Sequence, residues 1–288
     1  MPELPEVETV CRTLDPLLRG KTISAFWLGW HRTLERPTLD LFNTAVVGAT
    51  IESVSRRAKL ILITLSNCGA VTIHLRMTGE LLFRPTSDAD RNAEREPYLR
   101  AVFSFSDGSE LLFYDTRKFG KIAYRAPNEL AALDAGYGSE PLDPAFTSER
   151  LASILRAHRR QTKPLLLDQS VIAGLGNIYV DEALFRSRIH PLQLSSEIDD
   201  AHIRALHAAI VEILSTALAL HGTTLRDYRS GLGEPGQNQS RLLVYGLKPG
   251  TPCPVCGSPL ERLVIGQRGS IFCPNCQPFP GPNDTPRR

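Results

Sequence analysis

A chain that opens Met1-Pro2-Glu3 can carry covalent amine chemistry, because loss of the initiator methionine ahead of a small residue leaves Pro2 as a terminal secondary amine. Such an α-amine has a reference pKa of about 8, so on the order of a tenth of it is unprotonated and nucleophilic at pH 7. Condensed with a sugar aldehyde carbon, a secondary amine gives only an iminium cation. That cation withdraws electrons from the neighbouring C–H and C–O bonds. Glu3 and Glu6 supply carboxylates close by.

A second set of residues has the chemistry of a metal site. Cys253-Pro-Val-Cys256 and Cys273-Pro-Asn-Cys276 are two C-x-x-C pairs with sixteen residues between them, the spacing of a four-cysteine zinc site. Four thiolates surround one Zn²⁺ tetrahedrally, and the residues between read as two short strands around a Gly266/Gly269 turn, a zinc-ribbon hairpin. Cys11 and Cys68 have no partners nearby in sequence and read as small buried hydrophobes.

Three further features suit a polyanion. Ala173-Gly174-Leu175-Gly176-Asn177 follows a helical stretch, so it lacks the preceding strand of a dinucleotide fingerprint; a glycine turn opening a helix instead offers backbone N–H groups and the Asn177 amide to a phosphate. Arg156, His158, Arg159, Arg160 and Lys163 crowd one segment, and Arg56, Arg57 and Lys59 another. Asp115-Thr-Arg-Lys-Phe-Gly120 sets an aromatic among cations at a strand end, where it could wedge into a base stack.

These residues need a scaffold. The chain has 288 residues, enough for two domains, with 33 Lys+Arg against 31 Asp+Glu and 42% hydrophobic residues. That balance excludes a disulfide-held miniprotein and disorder over most of the length, and the near-neutral charge leaves any basic surface to local clustering. The longest strongly apolar run, Leu60–Leu65, is too short to cross a bilayer and the N-terminus has no apolar signal region, so a soluble intracellular protein is expected. The periodicity predicts a helix from about Pro5 to Leu17, then strands at Thr22–Leu28, Ala45–Val54, Lys59–Leu65, Ala70–Leu75, Gly79–Phe83, Arg100–Ser106, Glu110–Tyr114 and Lys121–Tyr124. Helices are predicted at Asn128–Leu133, Ser148–His158, Lys163–Asp168, Ile178–Phe185 and Ile198–His221. The charged segment Pro85–Pro97 reads as an exposed loop.

Taken together the motifs resemble one family, the bacterial formamidopyrimidine-DNA glycosylases of the helix–two-turn–helix group, over Met1 to about Gln277. The resemblance rests on Pro2-Glu-Leu-Pro-Glu-Val-Glu-Thr9, Arg57-Ala-Lys59, His74-Leu-Arg-Met-Thr-Gly79, Asp115-Thr-Arg-Lys-Phe-Gly120, Leu166-Leu-Asp-Gln169 with Gly174-Leu-Gly-Asn-Ile-Tyr179, and the cysteine ribbon with Gln267-Arg268-Gly269.

The resemblance implies an α+β multidomain fold. An N-terminal β-sandwich with flanking helices would span 1–127, a helical helix–two-turn–helix domain 128–242, a zinc-finger hairpin 243–277 and a disordered tail 278–288. It implies a monomeric, cytoplasmic enzyme working with the nucleoid, one structural Zn²⁺ on Cys253, Cys256, Cys273 and Cys276, and double-stranded DNA as partner. The implied activity is excision of oxidised purines, 8-oxoguanine and formamidopyrimidines, with strand nicking by β,δ-elimination through a Pro2 iminium. Glu3 would act as acid/base, and Lys59 and Arg268 would assist elimination. Met77, Arg117 and Phe119 would fill the gap left by an everted nucleotide, with His74, Asn177, Arg268, Tyr98, Arg159 and Lys163 on the DNA. The alternatives are an endonuclease VIII-like enzyme for oxidised pyrimidines, disfavoured by Leu4 and the Arg117/Phe119 pair, and a non-catalytic zinc-ribbon damage binder. Departures from the family pattern fall at Gln237-Asn238-Gln239, within the lesion-capping segment 230–239, and at Leu247.

Overall fold

The computed structural model describes residues 1–85 and 95–279. Residues 86–94, inside the segment expected as an exposed loop, and 280–288, in the expected tail, lie outside the described residues. The chain divides into two compact units, residues 1–136 with 217–239 and residues 137–216 with 240–288.

In the first unit, α1 (Leu4–Leu18) forms where apolar residues recur at helical spacing, and Val7, Val10, Leu14 and Leu18 are fully buried. It is followed by β1 (Ile23–Leu28), β2 (Leu34–Arg36), α2 (Leu39–Val46), β3 (Ile51–Arg57), β4 (Leu60–Leu65), β5 (Ala70–His74) and β6 (Gly79–Arg84). Then come β7 (Leu99–Phe105), β8 (Glu110–Asp115), β9 (Lys121–Arg125) and α3 (Pro127–Ala135). The strands make two sheets, ordered β1-β7-β8-β6 and β2-β9-β5-β4-β3. Phe26, Phe103 and Phe113 of the first sheet share one core with Ile61, Val71 and Ile122 of the second and with the buried face of α1, the expected sandwich. One expectation is corrected: the strand foreseen over Ala45–Val54 starts only at Ile51. Its first residues belong to α2, because Phe42 and Val46, four apart, pack into the same core.

The second unit contains α4 (Ser148–Ala157), α5 (Thr162–Leu166), α6 (Asn177–Arg186) and most of α7 (Asp200–Ala219). The hairpin of β10 (Glu261–Ile265) and β11 (Arg268–Phe272) follows. By length and composition alone α7 could cross a membrane. Its buried Ile203, Leu206, Ile210 and Leu214 instead form one stripe at helical spacing, the signature of a helix packed on a core. The hairpin turn is Gly266-Gln267, both at positive φ, as a two-residue turn between twisted strands requires. Gly269, expected in the turn, lies within β11.

Candidate active site and nucleic-acid interface

Pro2 is buried at the head of α1, directly before buried Glu3 at the helix N-cap. Glu6, in the first turn, places its carboxylate at the positive end of the helix dipole. One of its oxygens accepts the Glu3 N–H at 2.8 Å and the other accepts the Thr223 N–H at 2.7 Å. Tyr228 donates its hydroxyl to the Glu6 carbonyl at 3.2 Å, and burial, reinforced by the Glu6 charge, pushes this phenol above its usual range. The sequence placed Glu6 only as a carboxylate near Pro2; its tie to residues 223–228 joins positions too far apart in the chain to be seen by pattern.

Lys59 and His74 lie near one another at the end of one strand pair. The tight turn at Ala58-Lys59 links β3 to β4, whose Leu60 stands opposite His74 on β5. Lys59 is buried. Burial, and then the nearby Arg76 and Lys59 charges, push the His74 imidazole down to about 4, so it is neutral at pH 7. Its Nδ1 accepts the Arg76 N–H at 3.0 Å, which leaves the ring proton on Nε2 as a donor.

Met77, Arg117 and Phe119 are all exposed, and one buried carboxylate organises the turns that carry them. Asp115 Oδ1 accepts the Thr78 hydroxyl at 2.5 Å and the Arg117 N–H at 3.1 Å, while Oδ2 accepts the Gly120 N–H at 2.7 Å. The Arg117 guanidinium lies 4.8 Å from the Phe119 ring centre. Gly79 closes the Met77 turn, and any Cβ there would fall 2.4 Å from the Leu75 carbonyl oxygen. Tyr98 lines a neighbouring cleft of about 510 Å³ with Thr78, Glu80, Arg95, Tyr114 and Arg229. Burial raises the Glu80 carboxyl there even though Arg95 pairs with it.

In the second unit Asn177 opens α6, and its Nδ2 donates to the Gly269 carbonyl at 3.1 Å. Gln169 secures the preceding turn by accepting the Gly174 N–H and donating to the Leu175 carbonyl, both at 2.9 Å. Arg159 is exposed just ahead of α5, and Arg268 is exposed at the start of β11. Lys163 corrects the expected surface contact, because it is fully buried. Its Nζ donates to Asp181 Oδ1 and Ser270 Oγ at 2.6 Å each and to the Gly269 carbonyl at 3.1 Å. An ammonium has three protons, and all three are spent inside the protein. Burial drives Asp181 up to about 7 against the opposing pull of Lys163.

The four predicted cysteines converge, their sulfurs all lying within 4.8 Å of one another. Cys256 and Cys273 are 3.5 Å apart, and Cys253 and Cys276 3.9 Å. A tetrahedron with Zn–S bonds of about 2.3 Å has edges in this range, so the set fits one zinc ion with no position open for chemistry. Backbone N–H groups of Val255 and Cys276 point at Cys253 and Cys273 sulfurs, the orientation that stabilises thiolates. Cys11 is buried as expected, but Cys68 is exposed at positive φ in the turn between β4 and β5.

In the segment 230–239, Asn238 is buried and donates to the Thr223 hydroxyl at 2.9 Å, and Gln239 accepts the Thr224 N–H at 3.2 Å. These divergent residues therefore fasten the C-terminal end of the segment to Thr223 and Thr224, which precede it in the chain. Leu247 follows Gly246, which is at positive φ, and is exposed.

Three family models match the chain: the formamidopyrimidine-DNA glycosylase N-terminal domain over residues 1–122, the H2TH domain of the same enzymes over 137–229, and the zinc finger found in FPG and IleRS over 250–278. A formamidopyrimidine-DNA glycosylase of Roseiflexus sp. (strain RS-1) is 44% identical over 278 residues, covering 96% of this chain and 100% of the relative. Among solved structures, a mutant Lactococcus lactis FPG in complex with Fapy-dG containing DNA superposes with a TM-score of 0.88 at 34% identity, covering 96% of this chain and 100% of that one. The Lactococcus lactis Fpg bound to an abasic site containing DNA gives 0.86 at 33% identity, with the same coverage.

Proposed function

The chain belongs to the formamidopyrimidine-DNA glycosylase family, and from that premise we propose that it excises oxidised purines from duplex DNA and nicks the strand through a covalent Pro2 intermediate. The observation that carries the covalent step is the placement of Pro2 at the head of α1, immediately before the buried carboxylate of Glu3. With Met1 removed, the Pro2 lone pair attacks C1′ of the damaged nucleotide, the glycosidic C–N bond breaks, and the base leaves with a proton. Glu3 protonates O4′ as the sugar ring opens, giving the iminium. Loss of a C2′ proton expels the 3′ phosphate, a second elimination expels the 5′ phosphate, and water frees the enzyme.

Lys59 and Arg268 assist these eliminations as proton donors or phosphate ligands. His74 through its Nε2–H, Asn177, Tyr98 and Arg159 contact the backbone, with Met77, Arg117 and Phe119 filling the opened stack. Eversion of a paired nucleotide costs a few kcal/mol, and this wedge and clamp supply it. Zinc folds the hairpin carrying Arg268 and takes no part in bond making. The protein acts as a monomer in the cytoplasm, where its DNA substrate lies.

Borohydride trapping tests the reading on duplexes with 8-oxoguanine opposite C, 8-oxoguanine opposite A, thymine glycol or an abasic site. Covalent capture on the first and last, and weak capture on thymine glycol, is expected. Retention of DNA with no covalent product would leave a damage binder, and preference for thymine glycol would leave an oxidised-pyrimidine enzyme.

A further inference from the structure

Lys163 is wholly buried between α5, α6 and the hairpin, together with Asp181 at 3% and Ser270 at 0% exposure. A buried ion pair is an inefficient way to hold a hairpin in place, since apolar residues of similar volume stabilise as well or better. What three directional bonds supply instead is position. They converge on the two residues that follow Arg268: the Gly269 carbonyl accepts both Lys163 Nζ and Asn177 Nδ2 at 3.1 Å, and the Ser270 hydroxyl accepts Lys163 at 2.6 Å. Side chains two apart on a strand share a face, so the bond that fixes Ser270 also sets the face from which Arg268 departs. Arg268 itself is exposed, and among the described residues no carboxylate pairs with it. Its aim is therefore set through the strand behind it.

We propose that Lys163 is a positioning residue for Arg268, gripping Gly269 and Ser270 from the helical side so that the guanidinium meets its DNA target in one orientation. The proposal rests on the role given to Arg268 above. It replaces a direct phosphate contact by Lys163, whose protons have no route to solvent.

A double-mutant cycle tests it. Lys163→Met alone would strand the Asp181 charge, so it is combined with Asp181→Asn, and zinc content and thermal midpoint are measured for each variant. Single-turnover cleavage of an abasic duplex at saturating protein is then read in wild-type and Arg268→Ala backgrounds. The paired substitution is expected to slow cleavage on the order of tenfold to a hundredfold in the wild type, the scale of a misplaced catalytic group, and to change nothing further once Arg268 is gone. Ser270→Ala should give a smaller loss, also silent without Arg268, and serves if the paired variant loses zinc. An additive loss in the Arg268→Ala background overturns the proposal. So does a further fall of about one unit there in the slope of log affinity against log salt, which marks a direct phosphate contact. If Arg268→Ala slows cleavage while the paired variant does not, the inference alone fails; if Arg268→Ala has no effect, the role of Arg268 fails with it.

Discussion

Thr78 donates its hydroxyl to Asp115 across 2.5 Å, joining the turn that carries Met77 to the loop that carries Arg117 and Phe119. The acceptor is a buried carboxylate, so the bond ranks among the stronger ones a protein makes. Thr78→Val should therefore cost about 1.5–3 kcal/mol of stability, read by urea unfolding. It should also slow base release from a paired duplex more than cleavage of a pre-formed abasic site. Equal slowing on both substrates would mean that the two turns do not act together.

Arg117 and Phe119 should separate by substrate. A bidentate contact to the orphaned base is worth roughly 1–3 kcal/mol of discrimination, so Arg117→Ala should erode the preference for C over A opposite the lesion. Phe119→Ala should leave that preference intact and slow only substrates that must be everted. Single-turnover rates on four duplexes decide this, and a Phe119→Ala enzyme equally slow on abasic DNA would place the wedge elsewhere.

Blocking the amine is the sharpest test of the covalent step. An uncleavable N-terminal extension, verified by mass spectrometry, should abolish base release, nicking and borohydride capture while lesion binding persists. Full turnover by the extended protein would end the Pro2 mechanism.

Zinc and DNA affinity should fall together. Cys273→Ser removes one of four ligands from a closed site whose metal folds the hairpin. Metal analysis and binding isotherms on one preparation check this; stoichiometric zinc with unchanged affinity would mean a different ligand set.

His74 gives the pH dependence. Its folded value of about 4 lies below the ordinary 6.5, so the unfolded chain binds more protons between the two. Its contribution to stability is therefore present above pH 6.5 and is lost as pH falls towards 4. NMR of the free protein should find the ring neutral, with the proton on Nε2, down to about pH 5. A phosphate at Nε2 would favour the imidazolium, so DNA binding should take up a proton and tighten on acidification from pH 7 to 5. His74→Gln should flatten that trend, and an unchanged slope would remove His74 from the phosphate.

The strands and the zinc hairpin were legible because each rests on local spacing: two-residue alternation or C-x-x-C pairs. Asp115 was legible only as part of a motif, since its three acceptor contacts depend on a loop conformation that spacing does not encode. Lys163 was misread for the opposite reason. It stands in a basic run beside exposed Arg159 and Arg160, and nothing in that run separates the one cation that α5 turns inward to Asp181. Helix α2 was missed because Phe42 and Val46 are too short a pattern to outweigh the β-branched residues that follow.

The bond between Glu6 and Thr223 spans 217 positions, and both residues belong to the same compact unit. A ribosome making about 5–20 residues each second exposes the head of α1 for roughly ten seconds or more before Thr223 exists. Through that interval the Glu6 carboxylate lacks its Thr223 partner, so the hydrogen bonding at the head of α1 is completed only once the chain has reached residue 223. A ribosome stalled before residue 223 therefore holds a chain in which that bond at the head of α1 has not yet formed.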